Sequence, residues 1–140
     1  MQLLVDADCL IAGTLAPSGA CSRLLDLWQA GEFELIVCPN LIGEVRRALL
    51  HPRIAGKYDI SSAEVDQLTQ RLREESLHFD DPVDPLRVVT ADPKDDYLIA
   101  LARAERAILV TGDRRLLDLR GKLPIHPPRA FLDELERGSG

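Results

Sequence analysis

Leu3-Leu4-Val5-Asp6-Ala7-Asp8 is the stretch from which the rest of the chain is read. Three apolar residues without a polar break predict a short strand buried on both faces. Two aspartates follow where that strand should end. In open α/β sheets ligands bind outside the carboxyl ends of the strands, so a carboxylate there is either a turn former or a residue of metal or phosphate chemistry. A second segment repeats the arrangement: Ile108-Leu109-Val110-Thr111-Gly112-Asp113 is again an apolar run closed by an aspartate. That repetition favours the chemical reading.

The 140 residues correspond to one domain, read as residues 1–137 with 138–140 as a tail. A hydrophobic fraction of 46% with only 4% aromatics predicts a core of Leu, Ile, Val and Ala. The longest apolar runs fall far short of a membrane span. Met1 leads directly into the first strand with no basic leader or cleavage site, so no secretory signal is expected. Cys9, Cys21 and Cys38 lack metal-ligand spacing and read as three reduced thiols of a cytoplasmic protein. A net charge of −6 argues against a general nucleic-acid coat protein. It leaves room for an enzyme that holds cations with acids and grips phosphates with a local basic patch.

Cys9 to Pro17 reads as a connection, and a helix starting at Ser18 or Ser22 runs to about Ala30, closed by Gly31. Phe33 to Cys38 is a second strand. Asn40 is a plausible N-cap for a helix from Leu41 to about Leu50, stopped by Pro52. On its wheel Leu41, Ile42, Val45, Ala48 and Leu49 form the apolar arc, and Glu44 sits beside its edge. Glu44 is therefore either a site carboxylate or a boundary residue paired with Arg47 or Arg115. Arg53 to Ile60 is less regular. Ser61 and Glu64 have capping-box spacing and open a helix to roughly Leu77. His78 to Pro85 is a loop whose aspartates are turn formers, and Arg87 to Thr90 a possible short strand. In Asp92-Pro93-Lys94-Asp95-Asp96 the first two residues suit the cap and first turn of a helix, and Asp95 reaches back to the cap. That leaves Asp96 without a capping role. A strand at 107–111, a short helix at 114–119, a strand at 123–126 and a helix at 128–135 complete the order. Alternating strands and helices predict a three-layer α/β/α fold with a central parallel sheet of four to five strands.

Asp6 and Asp113 at strand ends, Glu44 and Asp96 on helices facing that end, and Asp8 beside Asp6 have positional reasons to converge. Such a cluster raises its own pKa values unless a cation resolves the repulsion. Oxygen-only ligands suit Mg²⁺ or Mn²⁺, and one or two such ions would support phosphodiester hydrolysis. No serine or cysteine nucleophile has a plausible base. His51, His78 and His126 are scattered and read as surface or packing residues.

Together, Val5-Asp6-Ala7-Asp8-Cys9-Leu10, the Ser22–Trp28 helix, Pro39 through Glu44, the 92–102 segment and Val110 to Arg114 resemble the PIN-domain ribonucleases, and most closely the PIN-family toxins of bacterial toxin–antitoxin pairs. The likeness runs from Leu3 to Leu135. It implies a parallel sheet flanked by helices, an acidic Mg²⁺ or Mn²⁺ pocket that cuts RNA, a homodimer or higher oligomer, and a cognate antitoxin protein. The implied catalytic acids are Asp6, Glu44, Asp96 and Asp113; Asp8, an acid where the family has Asn, would add a metal ligand or alter metal affinity. Where the family usually begins Asp-Thr-Asn, this chain has Asp6-Ala7-Asp8. Where many members carry an acid two residues after the last aspartate, it has Arg115. Thr111 matches the family's hydroxyl before that aspartate. Arg46, Arg47, Arg53 and Lys57, and Arg114, Arg115, Arg120 and Lys122, flank the implied pocket and are candidates for phosphate contact. Two rivals remain at this point. One is a phosphatase of the haloacid dehalogenase type, with Asp6 as nucleophile, Asp8 as acid/base and Lys94 on the phosphate. The other is a metal- or RNA-binding module that does not cut.

Overall fold

The computed structural model describes residues 1–83, 96–121 and 123–138. Five strands, β1 (Gln2–Val5), β2 (Glu34–Val37), β3 (Leu77–His78), β4 (Ile108–Val110) and β5 (Ile125–His126), form one parallel sheet in the order β3-β2-β1-β4-β5. The opening strand is thus the central one. Leu3 and Leu4 are 0% exposed, as an apolar run covered on both faces requires. From β1 the chain steps one way to β2 and β3, then returns to the other side for β4 and β5. Right-handed crossovers place helices on both faces of such a sheet. The change of direction lies between β1 and β4, the place where open sheets leave a crevice at their carboxyl ends.

Among the described residues there are eight helices: α1 (Ala7–Leu15), α2 (Ala20–Gln29), α3 (Pro39–Leu50), α4 (Pro52–Tyr58), α5 (Ser62–Glu74), α6 (Asp96–Glu105), α7 (Arg114–Leu117) and α8 (Pro128–Gly138). α1 packs against α2 and α3, α3 against α5, and α6 against β4. α8 returns to α2, where Phe131 meets Phe33 edge-on at 6.4 Å. The apolar arc of α3 is buried through Leu41, Ile42, Val45 and Leu49. The capping box of α5 is complete: Ser61 accepts from the Glu64 amide, and the Glu64 carboxylate accepts from the Ser61 amide.

Several sequence expectations are corrected. Residues 7–15 are a helix rather than a connection, because Asp6 caps α1 immediately after the strand. Residues 52–58 are helical although none is buried, so there is no apolar period to read. α3 begins at Pro39, and the Asn40 amide is taken by the Asp81 carboxylate at 2.8 Å instead of Asn40 serving as cap. α5 ends at Glu74, freeing Leu77-His78 to pair with β2 as a strand. The closing helix continues to Gly138. The expected strand at 87–90 and the roles given to Asp84, Asp92, Pro93, Lys94 and Asp95 lie outside the described residues.

Candidate active site

The β1–β4 register pairs Val5 with Val110, so the next residues of the two strands, Asp6 and Thr111, stand side by side. The Asp6 amide donates to the Val110 carbonyl at 3.1 Å, which extends the ladder to the site. The Asp6 carboxylate then does two things. Oδ1 accepts from the Cys9 amide at 2.9 Å and caps α1. Oδ2 accepts from the Thr111 hydroxyl. The same hydroxyl oxygen accepts from the Asp113 amide at 3.0 Å. Thr111 therefore ties the end of β1 to the turn after β4.

Asp6 is 5% exposed, and its pKa is pushed up to about 6. Burial is the main cause. The Thr111 and Cys9 hydrogen bonds oppose it, while the Asp8 and Asp113 carboxylates push in the same direction as burial. Asp113 is the converse. It caps α7 through the Arg115 amide at 2.9 Å, and the Arg115 guanidinium lies 3.3 Å from Oδ1 and 3.2 Å from Oδ2. Arg115 holds the Asp113 pKa below the usual carboxylate range.

Asp8 is exposed in the first turn of α1. Glu44 is half-buried on α3, the helix packed against α1. Asp96 is buried at the first residue of α6, which runs back into β4 and so starts at the carboxyl end of the sheet. The structure thus joins Asp6, Thr111 and Asp113 in one hydrogen-bonded chain with Asp8 nearby, and the placement of their helices brings Glu44 and Asp96 to the same end of the sheet. Among the described residues, no three His, Cys, Asp or Glu side chains stand close enough to hold one ion. The donor chemistry nevertheless suits a hard divalent cation. The donors are carboxylate oxygens, and one of them is desolvated and pressed by two like charges.

The basic residues are less uniform than their sequence clusters. Arg46 is committed to Asp66 of α5 at 2.5 Å and Arg115 to Asp113, while Lys57 lies over the Tyr58 ring. Arg47, Arg53, Arg114 and Arg120 are exposed, and Lys122 is outside the described residues. His51 and His78 are exposed and His126 half-buried, as surface or packing residues should be.

Two pairings were not read from the sequence. Arg115 was weighed as a partner of Glu44, yet it turns to Asp113, two residues back. Cys9 and Cys21 were read as separate thiols, yet their sulfurs are 2.7 Å apart. The bond from the Cys9 thiol lowers the Cys21 pKa and raises that of Cys9. An apolar cavity of ≈ 290 Å³ between α6 and the β4–β5 side is lined by no acid and stands apart from this chemistry. Among the described residues no helix is long and apolar enough to cross a membrane.

A family model described as the PIN domain matches residues 2–115. An uncharacterized protein of Methanocaldococcus jannaschii, MJ1680, is 22% identical over 147 residues, spanning 98% of this chain and 93% of its own length. PAE2754 from Pyrobaculum aerophilum superposes with a TM-score of 0.67 at 21% identity, covering 98% of this chain and 90% of that one. FitAcB from Neisseria gonorrhoeae superposes with a TM-score of 0.55 at 17% identity, covering 90% and 97%. At these identities the two structures are likenesses of fold.

Proposed function

This chain belongs to the PIN domain family, and on that premise we propose that it is a metal-dependent endoribonuclease, the toxin of a toxin–antitoxin pair. The observation that carries the reading is the buried Asp6 carboxylate at the switch point of the sheet, joined through Thr111 to the Asp113 turn and pressed by Asp8 and Asp113. Asp6 and Asp113 would hold a Mg²⁺ or Mn²⁺ ion, with Asp8, Glu44 and Asp96 as the further acids. Such an ion, when bound, supplies an activated water and neutralises charge on the phosphate. The chain's own residues do the rest. The Thr111 hydroxyl fixes one oxygen of Asp6, and the Cys9 amide fixes the other. The raised pKa marks a carboxylate whose charge is disfavoured by burial, and a bound cation would offset that cost. Arg114 and Arg120, exposed and just past Asp113 in the chain, would meet RNA phosphates.

The test is RNA incubated with the chain and Mn²⁺ or Mg²⁺. Cleavage by the natural chain, lost with a chelator and in Asp6→Asn and Asp113→Asn, supports the nuclease. Retained RNA binding without cleavage would leave only the binding module. The phosphatase alternative makes Asp6 a nucleophile, for which a carboxylate with both oxygens hydrogen-bonded and almost no exposure is poorly prepared. Asp8→Asn should leave a nuclease working and would abolish that phosphatase. Self-association is checked by light scattering. The antitoxin is checked by co-expression with a small neighbouring reading frame, which should relieve growth arrest. A cytoplasmic location fits an RNA target and three unpaired thiols.

A further inference from the structure

Helices α1 and α2 touch through their backbones. A Cβ built at Gly13 would lie 2.7 Å from the Cys21 carbonyl oxygen and 2.9 Å from Leu25 Cδ1, so only glycine fits this crossing. Cys9 is one turn before Gly13 on the same face of α1. The crossing that demands Gly13 therefore also presents Cys9 to Cys21. Their sulfurs stand 2.7 Å apart. A disulfide bond is about 2.05 Å long, so closing it asks for a sub-ångström movement of the sulfurs rather than a shift of either helix. Cys9 is buried and Cys21 is half-buried, so Cys21 is the more accessible residue of the two.

We propose that Cys9 and Cys21 are a redox modification site, which hydrogen peroxide converts to an intramolecular disulfide that staples α1 to α2 beneath Asp6. The Cys21 thiolate attacks one peroxide oxygen, giving Cys21 sulfenic acid and hydroxide. The Cys9 thiol then attacks the Cys21 sulfur, its proton leaves with the sulfenic oxygen as water, and the S–S bond forms. Two thiols are oxidised, one peroxide is reduced, and the net products are the disulfide and two waters. Because the Cys9 amide holds Asp6 Oδ1, the staple fixes the turn of α1 on which that carboxylate is held. It consumes none of the acids. Cys38, at the end of β2, stays out of the pair and serves as an internal control.

The experiment uses the full chain, reduced and then exposed to hydrogen peroxide, denatured in acid and labelled with a maleimide. The reduced chain should take three labels, one for each cysteine, and the oxidised chain one. Peptide mapping should join Cys9 to Cys21 and find the label on Cys38. The thermal midpoint should rise by roughly 5–10 °C and fall back with dithiothreitol. In Cys9→Ala, dimedone should capture Cys21 as its sulfenic acid. Three labels after peroxide, a sulfinic acid at Cys21 without a disulfide, or a bridge between two chains would overturn the proposal. The mapping of the natural chain decides the matter even where Cys9→Ala does not fold. None of these readouts depends on RNA cleavage, so this inference and the nuclease reading fail separately.

Discussion

Asp6 and Asp113 end adjacent parallel strands and share contact with one threonine hydroxyl, yet their carboxyls are displaced in opposite directions. Asp6 is lifted to about 6 because α1 starts at once after β1 and covers it. Asp113 is lowered because the short helix after β4 lets Arg115 fold back onto it. Both carboxylates also cap the helix that follows them, so the difference comes from cover and from the Arg115 guanidinium, not from residue type. Two like charges brought together have been made tolerable in two ways. One titrates closer to neutrality and the other leans on a guanidinium, and a divalent ion would relieve both.

The strongest way to break this comparison is to remove the charge on the buried side. Asp6→Asn keeps an N-cap oxygen and loses the anion, so RNA cleavage should fall at least ~100-fold. The fold should gain stability at neutral pH. The sign follows from the raised pKa. The folded chain keeps its Asp6 proton up to about pH 6, whereas an unfolded one releases it near 3.8. Stability contributed by the protonated form is therefore lost as pH rises between those values and stays lost above them. The loss is of the order of 3 kcal/mol at most. Urea unfolding from pH 4 to pH 8 in chelator should show that slope in the natural chain and not in Asp6→Asn. Mn²⁺ should restore stability only to the natural chain.

Thr111→Val cuts the link between the two sides. It leaves Asp6 Oδ2 and the Asp113 amide without their shared partner, for a cost of about 1–3 kcal/mol. It should also move the Asp6 slope to higher pH, because the hydroxyl favours the charged form. The Asp113 side should titrate with the opposite sign. Its depressed pKa contributes stability that persists through neutral pH and is lost only in acid, and Asp113→Asn should erase that acid limb. The smallest effect on stability belongs to Arg115→Ala. An exposed pair of this kind is worth about 1 kcal/mol or less, but its loss should tighten Mn²⁺ binding by titration calorimetry, because the Arg115 guanidinium then no longer competes for Asp113. Unchanged binding would separate Arg115 from the ion chemistry.

The chain declared its central strands because Leu3 to Val5 and Ile108 to Val110 are apolar runs too short for anything else. It declared α3 and α5 through apolar spacing and a capping box. It hid α1, because Asp6 was weighed as a turn former or a site residue, and the same carboxylate starts a helix. It hid α4, which buries nothing, and β3, whose two residues carry no alternating pattern. At the site, the two strand-end aspartates were legible from position alone. The threonine bridge came from family likeness. The Arg115 pairing and the Cys9–Cys21 contact depend on how a turn folds back and how two helices cross, and spacing in the sequence encodes neither.

The double duty of the first aspartate constrains what descendants of this chain can become. A lineage without the proposed RNA cleavage would still need an oxygen at position 6 to begin α1, since replacing a helix-capping side chain with alanine costs about 1 kcal/mol. Inert copies should therefore drift to asparagine or serine there, and rarely to alanine. In such a pseudo-enzyme the vanished activity would leave its trace as a polar residue with only an architectural reason to be kept.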